Sequence, residues 1–261
     1  MSVMLFQPGG GGGGDIVSTL VNSEVSITGA VTGTISKMHV CSGTSANYTV
    51  TLPAAAGNTG KLIGFRMATG LTKLVTIDGN ASETIDGALT RPMWAGEACI
   101  LLCDGSNWFK IAGKTIPMTV AMYKAADTGS PTSNVDTKIA VDTTAIDNSG
   151  LMADTTNKRI NIQRTGYYLL DAAAWSDPGG GTITRLLGEI YNNGSRIQYA
   201  DAPQWVAAAY AIGQIPQIVQ SFTAADQVEL YGLITIGGGA PVFKGGAVTN
   251  SHIALTEIPT W

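Results

Sequence analysis

Three aspartates, Asp78, Asp86 and Asp104, each stand before a glycine, and Thr-Ile-Asp-Gly occurs twice, at 76–79 and 84–87. Carboxylate oxygens ligate calcium, and repeated Asp-Gly is a feature of calcium-binding arrays. Those arrays run as closely spaced nonapeptides with a regular Gly and Asp pattern. Here the acids are too sparse to complete a cage. Turn chemistry accounts for the same residues without a metal, since Asp bonds its own backbone and Gly accepts a positive φ. The aspartates are read as turn corners, with no metal and no cofactor assigned.

Other chemistries fare worse. A nucleophilic triad needs a histidine to take a proton from Ser, Cys or Thr. The only histidines are His39 and His252, and no nucleophile elbow surrounds any serine. A glycosidase or lyase needs two carboxylates facing each other across a cleft. Asp171 and Glu189 lie on candidate neighbouring strands, yet strand edges and interfaces accommodate such residues without catalysis. Gly9–Gly14 lacks the Lys-Ser/Thr that completes a phosphate-binding loop. Cys41, Cys99 and Cys103 are the three thiols. On a strand, Cys99 and Cys103 would stand about 13 Å apart at ~3.3 Å per residue, beyond disulfide reach. Buried free thiols are expected, and His39 beside Cys41 is a thin basis for zinc. No catalytic residue is assigned, and the chain is read as a non-enzyme.

The elements that would position these residues are β-strands. Glycine numbers 33, charged residues make up 13% of the chain against roughly 25% in ordinary soluble domains, and the formal net charge is −4. Thr, Ala, Val and Ile abound, a balance that favours strands joined by turns. A surface so poor in charge suits a protein partly covered by copies or partners. Lys and Arg are scattered singly, which argues against nucleic-acid binding. Met1–Pro8 lacks the features of a signal peptide, and no apolar run reaches the ~18 residues of a membrane span. Synthesis in a cytoplasm, without membrane insertion, is expected.

Three segments follow along the chain. Residues 1–29 include the hexaglycine Gly9–Gly14, which cannot pack a core by itself. They are read as an arm that docks on a particle through Met4, Phe6, Pro8, Gly9 and Gly14. Residues 30–115 carry short strands, among them Tyr48–Leu52, Leu62–Met67 and Leu74–Ile77, and a hairpin from Cys99–Cys103 to Trp108–Ile111. Residues 116–261 carry about nine further strands, with a tight turn at Asn192-Asn193-Gly194. Alternation over Tyr167–Trp175 puts Tyr168, Leu170, Ala172 and Ala174 on one face and Tyr167, Leu169, Asp171, Ala173 and Trp175 on the other. Two largely apolar faces fit either a core plus a neighbouring subunit or a strand between two sheets. Trp205, Tyr210 and Phe243 sit in loop sequence, where aromatics stack on sugars, anchor a protein partner or plug an oligomer axis.

Two resemblances emerge from these segments. Residues 48–111, with YTVTLP, a Gly-rich turn, the doubled Thr-Ile-Asp-Gly and Asp104-Gly105-Ser106-Asn107-Trp108, resemble a small β-module of bacteriophage tail-fibre, spike and head-decoration proteins. The segment departs from the module's pattern at Ala98–Cys103, where cysteines flank the usual apolar strand. The second half is similar to the C1q/TNF-like jelly roll. Gly166-Tyr167-Tyr168-Leu169-Leu170 matches that family's G-x-Y-x-F block, with Ile160 at its aromatic position. Ala224-Ala225-Asp226-Gln227-Val228-Glu229-Leu230 matches its A-G-D-x-V-E-L segment, and Ser251–Leu255 its closing strand. Leucine and isoleucine replace the family's phenylalanines. Together they imply an all-β protein, a small β-module followed by a trimeric jelly-roll knob on a phage virion surface. A capsid decoration (cement) or head-fibre protein contacting the major capsid protein is the first expectation. A tail-fibre protein binding a host surface glycan is the alternative.

Overall fold

The computed structural model describes residues 24–127, 129, 131–202, 211–247 and 249–259. All regular structure among them is β-strand. The chain divides into two compact units between Ile116 and Pro117, where Pro117 cannot donate to a sheet ladder.

The first unit winds between two sheets. β1 (Glu24–Ile27), β3 (Met38–Cys41) and β5 (Leu62–Met67) run parallel in one sheet. β2 (Val31–Thr32), β4 (Tyr48–Thr51) and β6 (Val75–Asp78) run parallel in the other. Successive strands thus alternate between the sheets, forming three short coils. The winding then ends antiparallel, with β7 (Thr90–Met93) beside β6, β8 (Ala98–Cys103) beside β5, and β9 (Trp108–Lys114) returning as a hairpin on β8. Val50, Leu52, Ile63, Phe65, Met67, Ile77, Leu101 and Trp108 close the core with no exposed surface. Period-two alternation, which buries Tyr48 and Val50 of β4 and Val75 and Ile77 of β6, supplies those inward residues.

The second unit is a two-sheet sandwich. Its long strands are β10 (Thr119–Tyr123), β15 (Gly166–Asp177), β16 (Ile183–Asn192), β17 (Ser195–Ala202), β18 (Ala211–Phe222), β19 (Gln227–Ile236) and β21 (His252–Ile258). Shorter ones are β11 (Thr137–Lys138), β12 (Thr143–Asp147), β13 (Ala153–Asp154), β14 (Arg159–Asn161) and β20 (Val242–Phe243). One sheet has the order β12-β10-β21-β15-β18 and the other β13-β14-β19-β16-β17, all antiparallel. First and last long strands are neighbours, and from β14 to β20 the chain crosses between sheets at every connection except the β16–β17 hairpin. This is a jelly roll. The hairpin closes on Asn193 (φ +50°) and Gly194 (φ +77°), the two positive-φ positions that a two-residue turn demands. Tyr168, Leu170, Ala172 and Ala174 point inward, fully buried, as their alternation predicts.

Candidate functional site

The residues singled out for chemistry are mostly held by structural hydrogen bonds. Asp104 Oδ1 accepts the N–H groups of Asn107 and Ser106 at 2.6 and 2.7 Å, which holds its carboxyl below the ordinary range. Asp86, at φ +50°, accepts the Lys110 N–H at 3.0 Å, and Gly87 follows at φ +86°. The two Thr-Ile-Asp-Gly copies play different parts. Thr76–Asp78 is the strand β6 itself, whereas Thr84–Gly87 is a corner stitched to the start of β9: Asn107 Oδ1 accepts the Thr84 N–H at 2.8 Å, and Ile85 bridges to Trp108. Ile77 and Ile85 both enter the core. Among the described residues no three His, Cys, Asp or Glu side chains gather as a metal cluster would.

His39 is buried and stacked 5.1 Å from Phe65. Its Nε2 accepts the Thr34 N–H at 2.9 Å, so Nδ1 is the protonated nitrogen, 3.1 Å from the Gly64 carbonyl. Burial lowers its pKa, which keeps this tautomer neutral. Cys41, Cys99 and Cys103 are free and buried, and burial pushes the Cys41 thiol up to about 11 and Cys99 to about 12. Thiols so disfavoured as thiolates are poor nucleophiles.

Asp171 and Glu189 do not share a cleft. β15 pairs with β21 and β18, not with β16, so the two carboxylates sit on opposite outer faces of the sandwich. Asp171 Oδ2 lies 3.5 Å from His252 Nε2, and His252 Nδ1 lies 2.7 Å from the Asn250 carbonyl. Both ring nitrogens therefore face acceptors, and neither is left to take a proton from a nucleophile. Phe243, expected in a partner-binding loop, is instead a core residue on β20, packed over Gly232 and 3% exposed. The glycine leaves room for its ring. Met4, Phe6, Pro8, Gly9 and Gly14 of the expected arm, and Trp205 and Tyr210 of the expected loops, lie outside the described residues.

What the strands display instead are two contrasting faces of the jelly roll. On the β12-β10-β21-β15-β18 sheet, register places Tyr167 between Ile258 and Ser221, and Leu169 between Thr256 and Val219. Asp171 lies beside Ala254, Ala173 beside His252, and Trp175 beside Ile212. Ile146 continues the face from β12 opposite Ala121. Tyr167 is 53% exposed and Val219 58%, and Leu169, Ile146, Ile212 and Ile258 are exposed too. Between the strand ends, among the described residues, this face carries two charge-bearing side chains, Asp171 and His252.

The opposite face is laced with ion pairs: Arg185 with Asp201 at 2.9 Å, Arg196 with Glu189 at 2.6 Å, Lys138 with Glu229, and Arg159 with Asp154 at 3.1 Å. Asp154 also accepts from Asn157 and Asn161, and the Asn157 bonds are the main cause holding it down to about 2. Three tyrosines, Tyr191, Tyr199 and Tyr231, share this face. Each sits within a strand expected from sequence, but only the cross-strand register reveals that they converge.

No family model matches the sequence, and no curated protein does. Among solved structures, murine APRIL is similar over 55% of this chain and all of its own, at 9% identity and a TM-score of 0.41. The Eiger TNF structure from S. frugiperda aligns over 56% of this chain and 96% of its own, at 9% identity and a TM-score of 0.38. Pika GITRL aligns over 55% and 97%, at 13% identity and a TM-score of 0.28.

Proposed function

We propose that this chain is a non-enzymatic structural protein of a bacteriophage particle, a capsid decoration or head-fibre protein that displays a trimeric jelly-roll knob. One observation carries the reading. A jelly roll whose one outer face bears exposed Tyr167, Leu169, Ile146, Ile212, Val219 and Ile258, with two charge-bearing side chains between them among the described residues, is built to be covered. Monomers rarely leave a contiguous apolar patch of more than a few hundred Å² in water, and a second and third copy of the same face are the simplest cover. The virion setting rests on the resemblance of residues 48–111 to phage surface modules, and the arm 1–29 is assigned to docking on the particle, with the major capsid protein as the partner.

The test is copy number and retention. Quantitative mass spectrometry of purified particles is expected to find the chain in hundreds of copies, with deletion of residues 1–14 removing it from particles while the knob still folds. A handful of copies would place it on a tail instead. Absence from particles, or undiminished retention of the truncated chain, overturns the decoration and docking assignments respectively.

A further inference from the structure

The charged face of the jelly roll holds an aromatic arrangement that no structural role exhausts. Register across three strands puts Tyr199, Glu189 and Tyr231 in one row, and Arg196, Tyr191 and Glu229 in the next. Lys138 extends the first row beyond Tyr231. The rings are fixed before any ligand arrives. Tyr191 and Tyr231 pack at 4.2 Å between centroids with their rings tilted by 33°, and the Tyr191 hydroxyl donates to Asp136 Oδ2 at 2.7 Å. The Arg196 guanidinium lies 5.2 Å over the Tyr199 ring while its Nη1 donates to Glu189 Oε1 at 2.6 Å. Glu189 has no exposed surface, and its Oε2 accepts no hydrogen bond.

We propose that Tyr199, Tyr231 and Tyr191, rimmed by Arg196 and Lys138, form a binding platform for a neutral carbohydrate. A pyranose ring presents one apolar C–H face, which packs on tyrosine, and a girdle of hydroxyls, which needs donors and acceptors at the ring's edge. The platform supplies both: Tyr199 is 55% exposed, and the Arg196 side chain is 46% exposed with N–H groups to spare. Fixed rings and paired side chains reduce the ordering cost of binding. The nearby charges point to a neutral sugar rather than an anionic one. Arg196 and Lys138 are each matched by a carboxylate, and Asp136 adds a third, so no unpaired cation awaits an acidic group. The platform also lies on the face opposite the apolar one. It therefore stays open whether or not copies of the knob assemble, and a trimer would offer three sites to a repeating polysaccharide. The site is a property of a single chain and does not depend on the virion assignment.

The test uses the full chain on a printed panel of neutral oligosaccharides built from glucose, galactose and N-acetylglucosamine, followed by calorimetric titration of the best-retained member. Tyr199→Ala and Tyr231→Ala are each expected to weaken binding at least tenfold. Tyr199→Phe, which keeps the ring, is expected to remain within about threefold of the parent, as is Trp205→Ala. Unchanged thermal melts certify that the variants fold. Retention of no neutral sugar, retention only of anionic glycans, or loss of binding in Trp205→Ala but not in Tyr199→Ala each overturns the assignment.

Discussion

Ala225 holds a backbone conformation that its side chain resists. It sits at φ +78° in the turn joining β18 to β19, its N–H donating to the Ile162 carbonyl at 2.8 Å while the Asp226 N–H donates to Thr223. Left-handed backbone costs an L-residue roughly 1–2 kcal/mol because Cβ crowds the following carbonyl, and glycine escapes that cost. The jelly-roll motif this segment resembles has glycine at the position of Ala225. Ala225→Gly relieves the crowding but gives the unfolded chain more freedom, which offsets about 0.4–1 kcal/mol. The side chain is exposed, so no packing is lost. A net stabilisation of about 0.5–1 kcal/mol is expected, read as a higher urea midpoint for the second unit; an unchanged or lower midpoint would mean the turn relaxes around alanine at no cost.

At the scale of elements, a tight constraint between the two sheets of the sandwich is where β16 passes β18. A Cβ built on Gly188 would lie 2.4 Å from the Gly213 carbonyl oxygen, and one on Gly213 would lie 2.6 Å from the Gly188 nitrogen. Neither glycine has a positive φ, so each is needed for close approach rather than for conformation. Backbone cannot yield as a side-chain tip does. Gly188→Ala is expected to cost about 2–3 kcal/mol, the upper range for overpacking, measured by chemical denaturation against Gly166→Ala at the start of β15, where φ is not positive and an added Cβ meets only Glu257 Oε1 at 3.9 Å. Equal midpoints for parent and Gly188→Ala would show the sheets can part there freely. Nothing in the sequence around Gly188 announces this contact, because it is made with a residue 25 positions away on the other sheet. The same limit governs what else was legible. Strand positions such as Leu62–Met67, and the inward set Tyr168, Leu170, Ala172 and Ala174, follow from alternation, which is local. Strand direction and pairing are not local. Hence the parallel coils of β1–β6 were not foreseen, and Asp171 and Glu189, read as neighbours, fall on different sheets. Phe243 misled for a related reason: flanking glycines signal a loop, but the ring is buried by Gly232 on β19, far away in sequence. The tyrosine platform was hidden likewise, since its rows exist only across three paired strands.

For the whole molecule, the contrast between the two outer faces of the jelly roll decides how copies meet. Ion pairs on one face are content in water, where exposed pairs contribute little either way. The other face gains by leaving water, at roughly 25 cal/mol for each Å² of apolar surface buried. Association through that face would enclose the Asp171–His252 pair, and the two groups, 3.5 Å apart, can satisfy each other there without solvent. Val219 stands beside Leu169 on β18, the strand that ends this sheet, and is the most exposed apolar side chain of the face. In an isolated chain Val219→Glu places a carboxylate in solvent, since the side chain is already 58% exposed, so folding should be unaffected. Between copies it would bury one unpaired carboxylate per chain, a cost of several kcal/mol each. Sedimentation equilibrium of the parent is therefore expected to return three times the 27.0 kDa chain mass, and of Val219→Glu a single chain with the same melting profile for its individual units. Arg185→Glu on the opposite face should leave the trimer intact. A parent that sediments as one chain, or a Val219→Glu variant that still sediments as three, would mean that something other than a copy of this face covers Tyr167, Leu169 and Ile258.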